Sequence, residues 1–183
     1  MIDLVFALDA SDGVIDKEFM LEKTFVLNVL NAFKIHQDHT RVGVSTYGGE
    51  VSQDIPLSNQ FDKDSLLLAI NSLIKKKGRG SLSKVLGEAR TNLFTGTRDN
   101  VAKGLVLLSS MKNKEKENPE IAAQALKRTG VEIIIIGIGS MDDSSRDVLS
   151  KVASSKSRAF HLVSFDDLLN DVYLVATSAC EGK

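Results

Sequence analysis

The 183-residue chain has a single cysteine, Cys180, only two prolines and almost no net charge. One thiol cannot close an internal disulfide or build a cysteine-based structural zinc site. With so little proline and 43% hydrophobic residues, the composition belongs to a folding chain rather than a disordered one. A formal charge of −1 provides no global field toward nucleic acid or an anionic membrane. The apolar runs Leu4–Leu8 and Ile133–Ile136 fall far short of the roughly 20 residues of a bilayer span, so no membrane insertion is expected. No Asn-x-Ser/Thr acceptor occurs, and no charged leader precedes the first apolar run. Met1-Ile2-Asp3 therefore reads either as a cytosolic start or as the edge of a segment cut from a longer chain. The length suits one domain, 1–183, and the expectation is a piece excised from a larger multidomain protein.

What is present is an alternation of strands and helices. Ile2–Leu8 is apolar without alternation, as in a strand buried on both faces. Lys17–Phe33 repeats Phe19, Val26, Leu30 and Phe33 at helical spacing. Arg41–Tyr47 and Val51–Leu57 read as a hairpin through Gly48-Gly49, with Pro56 marking an edge strand. Helices are predicted over Asp62–Ile74 and Ser83–Leu93. Gly104–Leu108 is the next strand, followed by a polar loop to Asn118 and a helix opening at Pro119, with Ile121, Ala125 and Leu126 facing inward. Val131–Ile136, Ser144–Ala153, Ala159–Val163 and Phe165–Ala179 complete the series as strand, helix, strand and closing amphipathic helix. The fold class is therefore α/β: a doubly wound, mainly parallel six-stranded sheet with one antiparallel edge strand and helices on both faces. Ligands of such sheets bind beyond the carboxyl ends of the strands, where strand order reverses. The loops Asp9–Gly13, Lys77–Ser83 and Ser109–Lys114 are the ones to examine.

Asp9-Ala10-Ser11-Asp12-Gly13 leaves the first strand directly, placing a carboxylate and a hydroxyl two residues apart. Such oxygens suit a hard cation like magnesium. Here the sequence resembles the von Willebrand factor A domain, also called the integrin I domain, whose Asp-x-Ser-x-Ser motif follows its first strand. The resemblance runs through Val5–Ser11, Arg41–Val44 with Tyr47, Val101–Leu108, Gly130–Ile133, Ile136–Gly139 and Phe165–Leu168. It is closest to the matrix A domains of collagen VI, matrilin and cochlin. The resemblance implies a metal-ion-dependent adhesion site, with Asp9, Ser11 and Ser110 as ligands. The match is degenerate: Gly13 stands for the second Ser, Gly80 for the second-loop Thr (Ser81 after a one-residue slip) and Ser110 for the later Asp, with Met111 in place of a Gly. One family carboxylate remains, so the implied magnesium site is weak or vestigial. The implied function is a non-enzymatic, extracellular adhesion or matrix-assembly module. It would meet partners such as collagen through its top-face loops, including Asp12, Gly80, Ser81 and Lys112, or through its sides. A purely structural A domain is the alternative.

Lys75-Lys76-Lys77-Gly78-Arg79 reads as a solvated surface or as a glycosaminoglycan site through Lys75, Lys76, Lys77 and Arg79; without interleaved aromatics it does not suit nucleic acid. His36 and His39 lie in a loop without a cysteine nearby, and His161 falls on the last strand as a core or rim residue. Gly137-Ile138-Gly139-Ser140 lacks the third glycine of a dinucleotide fingerprint and reads as a turn. Gly87 is expected to let its helix approach the sheet closely. A phosphoryl-transfer hydrolase using Asp9 would need an acid where Ser11 stands and an acidic pair where Ser109-Ser110 stands. Cys180 either is a free thiol or, as the resemblance implies, pairs with a cysteine upstream of this chain.

Overall fold

A computed structural model describes residues 1–59, 62–112 and 118–180, and of Cys180 its backbone only. Six strands form one sheet: β1 (Ile2–Asp9), β2 (Thr40–Tyr47), β3 (Val51–Ile55), β4 (Ala102–Ser109), β5 (Val131–Ile138) and β6 (Ala159–Leu162). Their spatial order is β3-β2-β1-β4-β5-β6. β3 runs antiparallel on one edge and all other pairs are parallel. Pro56 follows directly on the edge strand, where no ladder donor is missed. Strand order reverses between β1 and β4, so the loops after these two strands flank the crevice where such sheets take ligands.

The side-chain alternation of β1 divides the core. Leu4, Phe6 and Leu8 join a layer made by α1 (Asp16–Leu30), α2 (Lys63–Asn71) and α6 (Val172–Cys180). Val5 and Ala7 join the opposite layer of α3 (Leu82–Glu88), α4 (Pro119–Lys127) and α5 (Asp143–Val152). Polar residues at the helix starts set the boundaries: Asp62 accepts from Ser65 N (3.0 Å), Asn118 from Glu120 N (2.9 Å) and Asp142 from Ser145 N (2.8 Å). At the amino ends of the strands, buried Asp3 accepts from Arg98 Nε (3.0 Å), Nη2 (2.6 Å) and backbone N (2.8 Å).

Four sequence expectations are corrected. The closing helix divides into a 3-10 turn, Phe165–Leu169, and α6, because Ser164 N and Oγ both bond Asp167 Oδ2 at 2.9 Å and cap a separate turn. Gly137 lies within β5, where a methyl would run into Met141 and Leu149; the turn is at Gly139, with φ +109°. Ile121 points to solvent and Ala125 is only half-buried; α4 turns Ala123 inward beside Leu126, which is buried as expected. Gly87 has no atom within 4 Å of where a Cβ would stand, so it does not serve helix–sheet packing.

Candidate ligand-binding face

Parallel register brings the ends of β1, β2 and β4 to one level. Asp9 stands last on β1 beside Tyr47, and β4 ends at Ser109. Asp9 is 2% exposed and Ser11 and Ser110 are buried with it. The Asp9 carboxylate is held by the chain's own hydrogens. Oδ1 accepts Ser11 N–H at 3.1 Å; Oδ2 accepts Ser110 N–H at 2.9 Å and the Ser110 hydroxyl at 2.8 Å. These three donors take three of the roughly four lone-pair directions of a carboxylate. Tyr47 braces the crevice from the side: its OH donates to Leu108 O at 2.6 Å and its carbonyl accepts Ala10 N–H at 2.8 Å.

Gly80 closes the site from above. A Cβ there would lie 3.3 Å from Asp9 Oδ1, 3.3 Å from Ser11 Cβ and 3.2 Å from Tyr47 Cε2. The remaining cavity, bounded by Asp9, Tyr47, Gly80, Ser110 and Met111, measures about 10 Å³, room for about one water. Met111, where the resembled motif has glycine, adopts φ +52°, a left-handed conformation uncommon for a long side chain. Ser81 caps α3, its hydroxyl accepting Lys84 N–H at 3.4 Å. Asp12 is exposed and ties two loops together: its Oδ2 accepts Gly78 N–H (3.0 Å) and its N–H donates to Gly78 O (2.9 Å).

Lys112 extends away from Asp9. Its Nζ lies 3.3 Å from Glu18 Oε2 and 5.7 Å from the centre of the Phe165 ring. With Ile15, Val163 and Phe165 it walls a second cleft of about 250 Å³ on the same face. Asn113 and Lys114, expected in this loop, lie outside the described residues.

Sequence reasoning missed one residue of the site, Glu22. Fully buried on α1, it accepts Asp9 N–H at Oε2 (2.9 Å), while Oε1 has no partner among the described residues. Burial, and next the charge of Asp9, push its carboxyl well above the ordinary carboxylate range. The signal was available: Glu22 stands three residues after Phe19 and four before Val26, on the inward stripe of its helix.

The basic run is partly engaged. Lys75 Nζ donates to Val14 O, and Lys76 Nζ sits 3.4 Å from Asp54, leaving Lys77 and Arg79 exposed. His36 and His39 pack with ring centres 5.8 Å apart and ring planes tilted by 54°, and His161 on the rim of β6 contacts Gly139 O at 2.9 Å. No group of three or more His, Cys, Asp or Glu residues suited to a metal is found among the described residues.

Known proteins agree with this architecture. A human protein named von Willebrand factor A domain-containing protein 2 is 27% identical over 170 residues, 91% of this chain and 22% of its own length. Matrilin-3 of Gallus gallus is 28% identical over 156 residues, 81% of this chain and 34% of its own. Among solved structures, proximal thread matrix protein 1 from the mussel byssus superposes with a TM-score of 0.89 at 26% identity, covering 98% of this chain and 46% of that one. Another structure of that mussel protein holds zinc in its metal-ion-dependent adhesion motif (TM-score 0.88, 27% identity). The chain thus spans about a fifth of the length of the first curated relatives it matches. The family model for the von Willebrand factor type A domain matches residues 3–173, and the chain belongs to that family.

Proposed function

We propose that this domain is a non-catalytic protein-interaction module of a larger extracellular matrix protein, and that it engages matrix partners, collagen first among them, through its top-face loops without a bound cation. The observation that carries this reading is the Asp9 carboxylate, already satisfied by Ser11 N–H, Ser110 N–H and the Ser110 hydroxyl. A divalent cation needs converging oxygens and negative charge. Gly80 and Gly13 offer no side-chain oxygen, Ser110 adds a proton donor where a carboxylate would add charge, and Asp12 is spent on Gly78. The residues present do not fit a resident ion. The same hydrogen bonds disfavour Asp9 as a nucleophile, and neither Ser11 nor Ser110 is an acid that could assist one.

Recognition then depends on shape. The loops are fixed to one another by hydrogen bonds, buried between Asp9 and Ser110 and exposed between Asp12 and Gly78, and beside them the Ile15–Val163–Phe165 cleft offers apolar surface: Ile15 is 59% and Val163 78% exposed. Such a cleft suits one apolar anchor residue of a partner. The names of the relatives, a collagen XX chain, matrilin-3 and a byssal matrix protein, support a matrix setting and an extracellular location. A glycosaminoglycan would meet Lys77 and Arg79 rather than the whole basic run.

Titrating the domain over immobilised fibrillar collagen, with heparin as a parallel surface, tests the reading. Equal saturable binding in magnesium and in EDTA is expected, and Val163→Asp should weaken it by about tenfold, the effect of losing one modest anchor. Binding abolished by the chelator would contradict cation independence. No binding to any matrix surface would leave a purely structural domain.

A further inference from the structure

Two sequence expectations failed at one place in the fold. Gly87, expected against the sheet, and Ile121, expected in the core, both line a groove of about 850 Å³ between α3 and α4. Gly87 sits in a continuous helical stretch, yet its φ is not positive and no atom approaches its missing Cβ within 4 Å. Glycine disfavours a helix roughly fivefold relative to alanine, and no described residue crowds the position so as to require it here. Ile121, in the first turn of α4, is 70% exposed. A π-helical turn, Ala89–Leu93, follows α3 along the same groove, a rare feature that often marks functional sites. Where local patterning is violated without an internal reason, the reason is sought outside the molecule.

We propose that this groove is a self-association surface, in which Ile121 of one copy enters the notch left by Gly87 of a second copy, and the reverse, about a two-fold axis. A second copy fits because the face is complementary to itself. It carries a protruding aliphatic side chain and a vacant notch together, and its lining holds two bases, Lys84 and Arg90, and two acids, Glu50 and Glu88; Lys84 also donates to Gly49 O and Glu88 accepts from Asn92 Nδ2, which leaves Arg90 and Glu50 as the pair to meet a second copy. A two-fold axis sets each patch against its own copy, so a face with a knob and a hole, and both signs of charge, can satisfy itself. No residue lining this groove lines the Asp9 crevice, and the proposal does not depend on the collagen reading.

Light scattering of the chain over a wide concentration range tests this directly, with no ligand present. The average mass should rise toward twice the monomer value. Ile121→Lys and Gly87→Leu should each shift the midpoint at least tenfold to higher concentration. Gly87→Leu should do so while the isolated monomer melts no lower than the parent, because the new side chain meets open space; a merely structural glycine would lower it. Mixing a Gly87→Cys chain with an Ile121→Cys chain, both carrying Cys180→Ser, should give a covalent dimer under mild oxidation that neither variant gives alone. A constant monomer mass, or a dimer indifferent to both substitutions, overturns the proposal. So would a monomer whose collagen binding is lost in Ile121→Lys, since the groove would then belong to the matrix partner.

Discussion

Two buried carboxylates show how differently one charge can be accommodated. Asp3 is completely buried and receives three hydrogen bonds from Arg98, whose Nη1 donates to Gln37 O (2.8 Å) and whose Nη2 shares its second hydrogen between Ile2 O and His39 O (3.0 Å each). Arg98→Ala strands that charge and should cost about 3–5 kcal/mol in urea unfolding; a loss below about 0.5 kcal/mol, the ordinary surface range, would contradict the clamp. Glu22 has no cation beside it among the described residues. Its raised pKa means that the folded state keeps a proton which the unfolded chain gives up near its ordinary value of 4.5. The sign follows: the contribution to stability is complete below that pH and is lost as pH rises toward the folded value. Glu22→Gln keeps an acceptor for Asp9 N–H and removes the titration. Its stability should therefore decline less than the parent's from pH 4.5 into the neutral range, as urea midpoints would show. Parallel curves would refute the assignment.

Secondary elements were largely written in the hydrophobic pattern. β1 and β5, apolar on both faces, needed only their composition to be placed, and the Asn118-Pro119 pair marked the start of α4. What the pattern could not carry was rotation. Ile121, Ala125 and Leu126 satisfy helical spacing, but the core takes Ala123 together with Leu126, and that choice belongs to the surface the helix packs on. The glycines were ambiguous for the same reason, since their roles lie in what surrounds them. At Gly137 the space of a Cβ is already filled by Met141 and Leu149, so Gly137→Val should destabilise by about 1–3 kcal/mol through overpacking. At Gly87 the space is open, so Gly87→Ala should add about 1 kcal/mol to the monomer. Opposite signs are thus expected for similar changes at two glycines, measured by thermal melts in dilute solution.

Across the whole molecule, the sheet sets the crevice and the motif residues fill it. Asp9, Ser11, Gly80 and Ser110 converge because β1 and β4 end side by side at the reversal of strand order. Their convergence was implied by the resemblance to the A-domain motif. The direction of the hydrogen bonds was not: a serine near an aspartate can ligate the same ion or donate to the carboxylate, and only three-dimensional placement distinguishes them. Here Ser110 donates. Glu22 stayed hidden because spacing marks a core position and not whether a carboxylate is tolerated there. If missing groups are the cause, Gly80→Thr with Ser110→Asp should gain a saturable magnesium response, with Tyr47 yielding slightly to the new Cβ at 3.2 Å.

The most direct measurement is a thermal melt of the chelator-treated parent domain across magnesium, manganese and zinc up to millimolar concentration. Binding at a hundred times Kd would stabilise the fold by about 2.7 kcal/mol, a shift of several degrees in a domain of this size. No saturable shift is expected with any of the three ions. A saturable rise in melting temperature that is lost in Asp9→Asn would contradict that expectation.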